Sequence, residues 1–453
     1  MSTIETKNPY TQKDIESYEI ISDRELSSKL DKAETQFQSW HKLEIEQRCN
    51  LLSNVAELLL DRKERYAKLI TEEMGKPITQ GIAEIEKCAW LCDFYAENAE
   101  DFLADQLIEA DTEESFISYD PLGVILAIMP WNYPFWQVMR FAAPTLTAGN
   151  TAVLKHASST TGCALEIEQL FLDAGYPEGC FQTLVVSHDQ IEKIVENEHI
   201  KAVSLTGSEK AGRKIAELAG KNLKKTVLEL GGNNACIVLK DADLDEYIET
   251  MAWARMQNAG QSCIAAKRFI VEAEIYDDFI EKFKDEVKSY VIGNPIEEET
   301  QVSSMARENL AEDVEDQVKK SLDKGATLFY GNNREKANYQ PTIIENVKPG
   351  MPLFDEEVFG PVAAIIKVKN EDEAYEMASN TKFGLGSMIF TEDVESAKLR
   401  ISEIADGAFF INELVKSDPR LPFGGTKASG YGRELSKEGI MEFVNAKTVY
   451  IKK

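Results

Sequence analysis

Histidine is scarce in this chain, and the scarcity removes a class of chemistry. Four occur in 453 residues (His41, His156, His188, His199), none spaced with a cysteine or carboxylate as metal ligands are. No metal is expected. The seven cysteines are odd in number and scattered, which argues against a disulfide framework and suits a reducing compartment, the cytoplasm. Cys88 and Cys92, four apart, read as small core residues on one helix face. Basic residues are also short. Fifty Lys and Arg against 78 Asp and Glu leave a net charge of −28, which argues against nucleic-acid or membrane binding through bulk electrostatics. No stretch approaches the roughly 20 uninterrupted apolar residues of a spanning helix. The start, Met1-Ser2-Thr3-Ile4-Glu5, has neither the basic residues nor the apolar run of a secretory signal. Absent too is any Gly-x-Gly-x-x-Gly run, the usual dinucleotide fingerprint.

What remains is an ordinary globular composition, 43% hydrophobic, in a chain long enough for two or more domains. The first hundred residues read as mostly helical. Apolar residues recur at three and four from Trp40 to about Thr71, where Met74-Gly75-Lys76-Pro77 stops the helix. A second helix is predicted from Gln80 to Leu103, carrying Ile85, Cys88, Trp90 and Phe94. Ser115–Tyr119 then alternates like an exposed strand, and Gly123–Ile128 is a continuous apolar run, like a strand buried on both faces. Strands at Thr151–Leu154, Phe181–Val185, Ala202–Leu205 and Thr226–Glu229 alternate with helices, the grammar of a covered parallel sheet. A second alternating block runs from Ala235 to about Gly430. Thr448–Ile451 forms a last strand with nothing after it to cover its edge, which favours pairing with another subunit.

Three segments carry chemistry. Asn258-Ala259-Gly260-Gln261-Ser262-Cys263 places one thiol among small and amide residues. Leu228-Glu229-Leu230-Gly231-Gly232-Asn233 offers a carboxylate, and Pro130-Trp131-Asn132-Tyr133-Pro134 an amide. Thiol, water-activating base and oxyanion donor are what acyl chemistry through a thioester requires. Taken singly, Cys263 reads as a core cysteine, Glu229 as a salt-bridge partner and Asn132 as a turn residue.

Together with Leu205-Thr206-Gly207-Ser208, Glu356-Glu357-Val358-Phe359-Gly360-Pro361, Pro422-Phe423-Gly424-Gly425 and Ser429-Gly430-Tyr431-Gly432-Arg433-Glu434, these segments resemble the aldehyde dehydrogenase superfamily over nearly the whole chain. The resemblance implies an α/β fold: a Rossmann-like parallel-sheet cofactor domain (1–106 and 122–230), a second α/β catalytic domain (231–430), and a small β oligomerisation extension (107–121 and 431–453). It also implies a homodimer or homotetramer. Cys263 is expected to attack the aldehyde, Asn132 and the Cys263 N–H to hold the oxyanion, and Glu229 to activate the hydrolytic water. Acylating relatives lack that glutamate, so hydrolysis to a free acid is favoured.

The resemblance also assigns NAD or NADP to Met129, Pro130, Trp131, Lys155, Ser158, Gly207, Ser208, Glu229, Leu230, Glu357 and Phe359. Lys155 is expected on the adenine ribose, Ser208 on the pyrophosphate, Glu357 on the nicotinamide ribose. Ser158 stands where NAD-preferring members often carry a glutamate, and a serine there does not repel a 2′-phosphate. For the substrate, Arg140 lies eight residues after Asn132, as in succinate-semialdehyde dehydrogenases, and suits a distal carboxylate. Gln257 replaces a second arginine of some members, with Ser417 or Arg420 expected to supply the missing contact. A broad-range enzyme for neutral or aromatic aldehydes, with Arg140 structural, is the alternative. A catalytically idle scaffold is a further one, opposed by the intact Cys263, Asn132 and Glu229.

Overall fold

The computed structural model describes residues 2–452. Met1 and Lys453, which end two of the expected ranges, lie outside them. Two mixed α/β layers are each built on a largely parallel sheet. In the first, six strands run in the spatial order Gly430–Tyr431, Lys225–Glu229, Ile200–Thr206, Val124–Met129, Thr151–His156 and Phe181–Thr183. All pair in parallel except Gly430–Tyr431, which is antiparallel to Lys225–Glu229. Val124–Met129 sits centrally and is buried along nearly its full length, as its uninterrupted apolar run requires. Each such large side chain taken from water contributes about 1.5–3 kcal/mol.

The second sheet has seven strands, ordered Thr327–Tyr330, Thr342–Glu345, Val362–Val368, Arg268–Glu272, Ala235–Val238, Ser387–Phe390 and Phe409–Ile411. Only the edge strand Thr327–Tyr330 runs antiparallel. A third, antiparallel sheet joins Val444–Ile451 to Glu114–Pro121 and Gln106–Leu107. One edge of Val444–Ile451 is left without a partner strand among the described residues. No described helix is long and apolar enough to cross a membrane.

Several sequence expectations need correcting. The N-terminal region opens with a hairpin, Thr3–Lys7 against Asp14–Glu19, whose mostly exposed, polar strands carry no apolar run to announce them. The helix expected from Trp40 to Thr71 is divided into Ile45–Asp61 and Lys63–Met74 at Arg62 (φ −111°, ψ 14°). Arg62 is held there by Asp173 at 2.5 Å. The helix then ends at Gly75, whose left-handed φ of 78° lets its N–H reach Thr71. Trp90 lies outside the core, 42% exposed, with Arg420 over its ring. Cys88 and Cys92, by contrast, are core residues as expected, fully buried on the inner face of Ile78–Leu103. In the C-terminal segment, Gly430–Tyr431 joins the first sheet, and the helix Ser436–Met441 precedes the last strand.

Candidate active site

Four neighbouring parallel strands, Val124–Met129, Thr151–His156, Ile200–Thr206 and Lys225–Glu229, release the chain at their carboxyl ends into the expected site segments. That is where open α/β sheets bind ligands. Pro130, Trp131 and Asn132 follow the first, Ser158 the second, Gly207 and Ser208 the third. Glu229 is the last residue of the fourth. A cavity of about 390 Å³ opens there, lined among others by Trp131, Asn132, Ser208, Glu229, Glu357 and Phe359. A second, of about 240 Å³, is lined by Tyr133, Trp136, Gln137, Arg140, Gln257 and Ser417. Cys263 and Gln137 line both, so the thiol stands where the two meet.

The loop carrying Cys263 is rigidly made. Asn258 and Ala259 adopt left-handed φ of 53° and 51°, followed by Gly260 at 72°. A Cβ on Gly260 would lie 2.3 Å from the Gly360 oxygen, so only glycine closes this turn. Lys267, fully buried, donates to the carbonyls of Ser262 (2.9 Å) and Cys263 (2.7 Å) and to Glu357 (3.1 Å). Asn258 Nδ2 donates to the Asn132 carbonyl (2.8 Å), and Asn132 Nδ2 donates to the Gln261 carbonyl (3.0 Å). That bond uses one of the two amide hydrogens of Asn132 and leaves the other.

The charges around the thiol are poised rather than relaxed. Burial pushes Cys263 up to about 11; Arg140 and Lys267 pull it down, Glu357 and Glu229 push it further up. Glu229 is buried, and neither carboxyl oxygen has a hydrogen-bond partner among the described residues. Burial first, and the Glu434 carboxylate second, hold it well above the usual range. A carboxyl so raised holds a proton more tightly than an ordinary carboxylate, which makes its ionised form a stronger general base.

The cofactor expectations fall mostly on the larger cavity. Pro130, Trp131, Gly207, Ser208, Glu229, Leu230, Glu357 and Phe359 line it; Met129, Lys155 and Ser158 do not. Ser208 caps the helix Glu209–Lys221, its Oγ accepting from the Ala211 N–H at 3.3 Å. The helix N-terminus thus faces the cavity and suits a pyrophosphate. Lys155, next to last in its strand, is buried, with no ion-pair partner among the described residues. A Cβ on Gly231 would lie 2.1 Å from Glu357 Oε2, so the glycine admits the Glu357 carboxylate. Phe359 stands edge-on to Trp131 at 5.8 Å. Among the residues present, a nicotinamide dinucleotide has a helix N-terminus, two carboxylates and an aromatic wall to meet.

On the substrate side, Arg140, Gln257 and Ser417 share the smaller cavity with Cys263. Arg140 is buried, in ion-pair contact with Glu434 and 4.5 Å over the Phe423 ring. Its Nη2 has no hydrogen-bond partner among the described residues. Arg420 departs from expectation. It does not line the cavity; Asp418 holds its guanidinium at 2.7 and 2.9 Å on an exposed turn.

Sequence reasoning passed over Lys87, Trp136, Gln137, Lys267 and Arg307. A signal existed for two groups. Gln80, Ala83, Glu84 and Lys87 recur at helical spacing on Ile78–Leu103, and Tyr133, Trp136, Gln137 and Arg140 do so across the start of Trp136–Thr147. Both stripes face the cavity. Glu84 ties them together: it pairs with Lys76 and accepts from the N–H groups of Phe135 and Trp136, both at 2.9 Å.

Asn132→Ala tests the oxyanion role. The specificity constant is expected to fall by about 10²–10³-fold, followed through reduced-nicotinamide absorbance. A loss of less than about threefold would place the donor elsewhere.

Comparison with known proteins extends over the whole chain. The Aldehyde dehydrogenase family matches residues 1–449. The probable succinate-semialdehyde dehydrogenase (NADP(+)) of Synechocystis sp. is 46% identical over 451 residues, covering 99% of each chain. Succinate-semialdehyde dehydrogenase (NADP(+)) 1 of Mycobacterium tuberculosis is 44% identical over 454 residues, again 99% of each. The crystal structure of succinic semialdehyde dehydrogenase from Streptococcus pyogenes, in complex with NADP+ as the cofactor, superposes with a TM-score of 0.97 at 40% identity, covering 99% of this chain and 100% of that one. With likeness over nearly the whole chain, the chain belongs to the aldehyde dehydrogenase family.

Proposed function

We propose that the protein oxidises an aldehyde carrying a distal carboxylate, succinate semialdehyde foremost, to the free acid. NADP+ serves as cofactor, and NAD+ is also accepted. The observation that carries the substrate is Arg140, whose guanidinium lines the same cavity as Cys263 and keeps one nitrogen without a partner. The names of the relatives point the same way.

The Cys263 sulfur adds to the aldehyde carbon, and the Asn132 amide with the Cys263 N–H holds the resulting oxyanion. The bound nicotinamide supplies the hydride acceptor. What remains on Cys263 is a thioester. Glu229 takes a proton from water, and the hydroxyl displaces the sulfur to give the carboxylic acid. Trp131, Phe359 and Leu310 wall the larger cavity. Ser158, uncharged, leaves room for a 2′-phosphate, and Lys155, near the end of the preceding strand, is buried.

Assembly as a homodimer or homotetramer is part of the same proposal. The free edge of Val444–Ile451 supports it, with Tyr450 53% and Leu107 78% exposed on that sheet. Seven free cysteines accord with a reducing compartment, the cytoplasm.

A kinetic matrix of succinate semialdehyde and butyraldehyde against both cofactors tests the reading. The acid-bearing aldehyde is expected to have the larger specificity constant by about tenfold or more. Equal constants would sink the carboxylate anchor. Arg140→Ala alone strands the buried Glu434 carboxylate. The pair Arg140→Leu with Glu434→Gln keeps the site neutral and is expected to raise KM for the acid-bearing aldehyde more than for butyraldehyde.

A further inference from the structure

Three cations line the cavity in front of Cys263, and among the described residues only one of them, Lys87, lacks a counter-charge. Arg140 has Glu434. Lys87, on the helix Ile78–Leu103, turns its ammonium inward over the Trp136 ring at 4.2 Å and donates to Ser417 Oγ at 2.9 Å. No carboxylate lies within ion-pair reach of it among the described residues. The nearby ones are committed elsewhere: Glu84 to Lys76 and two backbone N–H groups, Asp418 to Arg420. Lys416, also on the cavity wall, is paired with Glu413 at 2.7 Å. Trp253 and Gln257, from the facing segment, bring no charge.

A half-buried ammonium with a hydroxyl and a ring face for company is incompletely paired, and an entering anion completes it. We infer that Lys87 is a second cationic anchor for the distal carboxylate of the aldehyde, steadied by Ser417 and set beside Arg140 on the wall of the cavity. The inference rests on the semialdehyde reading above and deepens it. It supplies the contact that Arg420, turned away onto Asp418, does not make. It also explains how a site whose arginine is already neutralised by Glu434 attracts a carboxylate.

A titrating anchor has a signature that a permanent one lacks. Burial, then the Arg140 charge, pushes Lys87 down to about 8, while Cys88, Asp418 and Glu84 pull it back. The ammonium is charged below that pH and neutral above it, and a bound carboxylate favours the charged form. KM for the acid-bearing aldehyde therefore rises as pH passes through the Lys87 value. Titration of Cys263 and Glu229 acts on either aldehyde and cancels in the ratio of specificity constants.

The test measures that ratio, succinate semialdehyde over butyraldehyde, on the intact enzyme from about pH 6 to about pH 10. Lys87→Met and Lys87→Arg are compared at neutral pH. The wild-type ratio is expected to step down through about pH 8. Lys87→Met is expected to lower it by about 10- to 100-fold, mainly through KM. Lys87→Arg is expected to keep most of the ratio and lose the step. A high wild-type ratio that stays flat with pH overturns the Lys87 role and keeps the semialdehyde reading. So does a Lys87→Met variant that slows both aldehydes equally. A wild-type ratio near one at every pH overturns both. The wild-type profile decides the matter even if Lys87→Met fails to fold.

Discussion

Cys263→Ala is expected to lower turnover of any aldehyde by roughly four orders of magnitude or more, as removal of a covalent nucleophile does. The protein should stay folded and keep its affinity for NADP+, because Cys263 is only partly buried, at the margin of the core, and the change removes a single sulfur atom. The bracing runs through its carbonyl, which accepts from Lys267 and from Asn234 Nδ2 at 2.6 Å. The six other cysteines are buried, so one equivalent of iodoacetamide should label Cys263 first, and the label should vanish in the variant. The pH dependence follows from the site. A thiol raised to about 11 is almost wholly protonated at neutral pH, so alkylation of the free enzyme should be slower than that of an ordinary thiol near 8.5 and should climb towards the raised value. Residual turnover within about a hundredfold of wild type would remove Cys263 from the chemistry.

That Cys263, Asn132 and Glu229 belong to one site was legible in the sequence because short, ordered motifs carry them, and all three line one cavity. So was the parallel sheet, since Val124–Met129 is apolar on both faces and Ala202–Leu205 nearly so, and both are buried. The hairpin Thr3–Lys7 with Asp14–Glu19 was not, because its strands stay mostly exposed and carry no hydrophobic period. The cavity in front of the thiol was half legible. Arg140 could be placed from its distance to Asn132. Its neutralisation by Glu434, about 290 residues further on, is a tertiary fact that no local pattern encodes. Arg420 was misplaced for the opposite reason, a local one. Two residues back, Asp418 offers a carboxylate on the same turn, and that local pairing wins over a distant ligand. Lys87 was missed because a lysine in a helix reads as solvated. Only the polar stripe it shares with Gln80 and Glu84 hints that this face looks into a cavity.

Glu229→Gln is expected to stop the second half of the reaction and spare the first. Steady-state turnover should fall by about 10²–10⁴-fold, the usual contribution of a general base. A rapid burst of reduced nicotinamide, about one per active site, should remain. Intact-mass analysis after the burst should find the acyl group on Cys263. If the burst is lost as well, Glu229 acts before the thioester, on the Cys263 proton. The substitution is nearly isosteric and should not weaken the fold. Glu229 is held above its ordinary pKa by burial and by Glu434, so above the unfolded value the native state binds more protons than the unfolded one, and stability falls as pH rises. Glutamine removes that penalty, and the variant's melting temperature should equal or exceed the wild type's at alkaline pH. The same raised carboxyl predicts how the wild type behaves in acid. Hydrolysis needs the carboxylate, so lowering the pH should leave the wild type bursting as the variant does, with turnover recovering as Glu229 loses its proton. A wild type whose deacylation rate ignores pH across that recovery would mean that water is activated by another group.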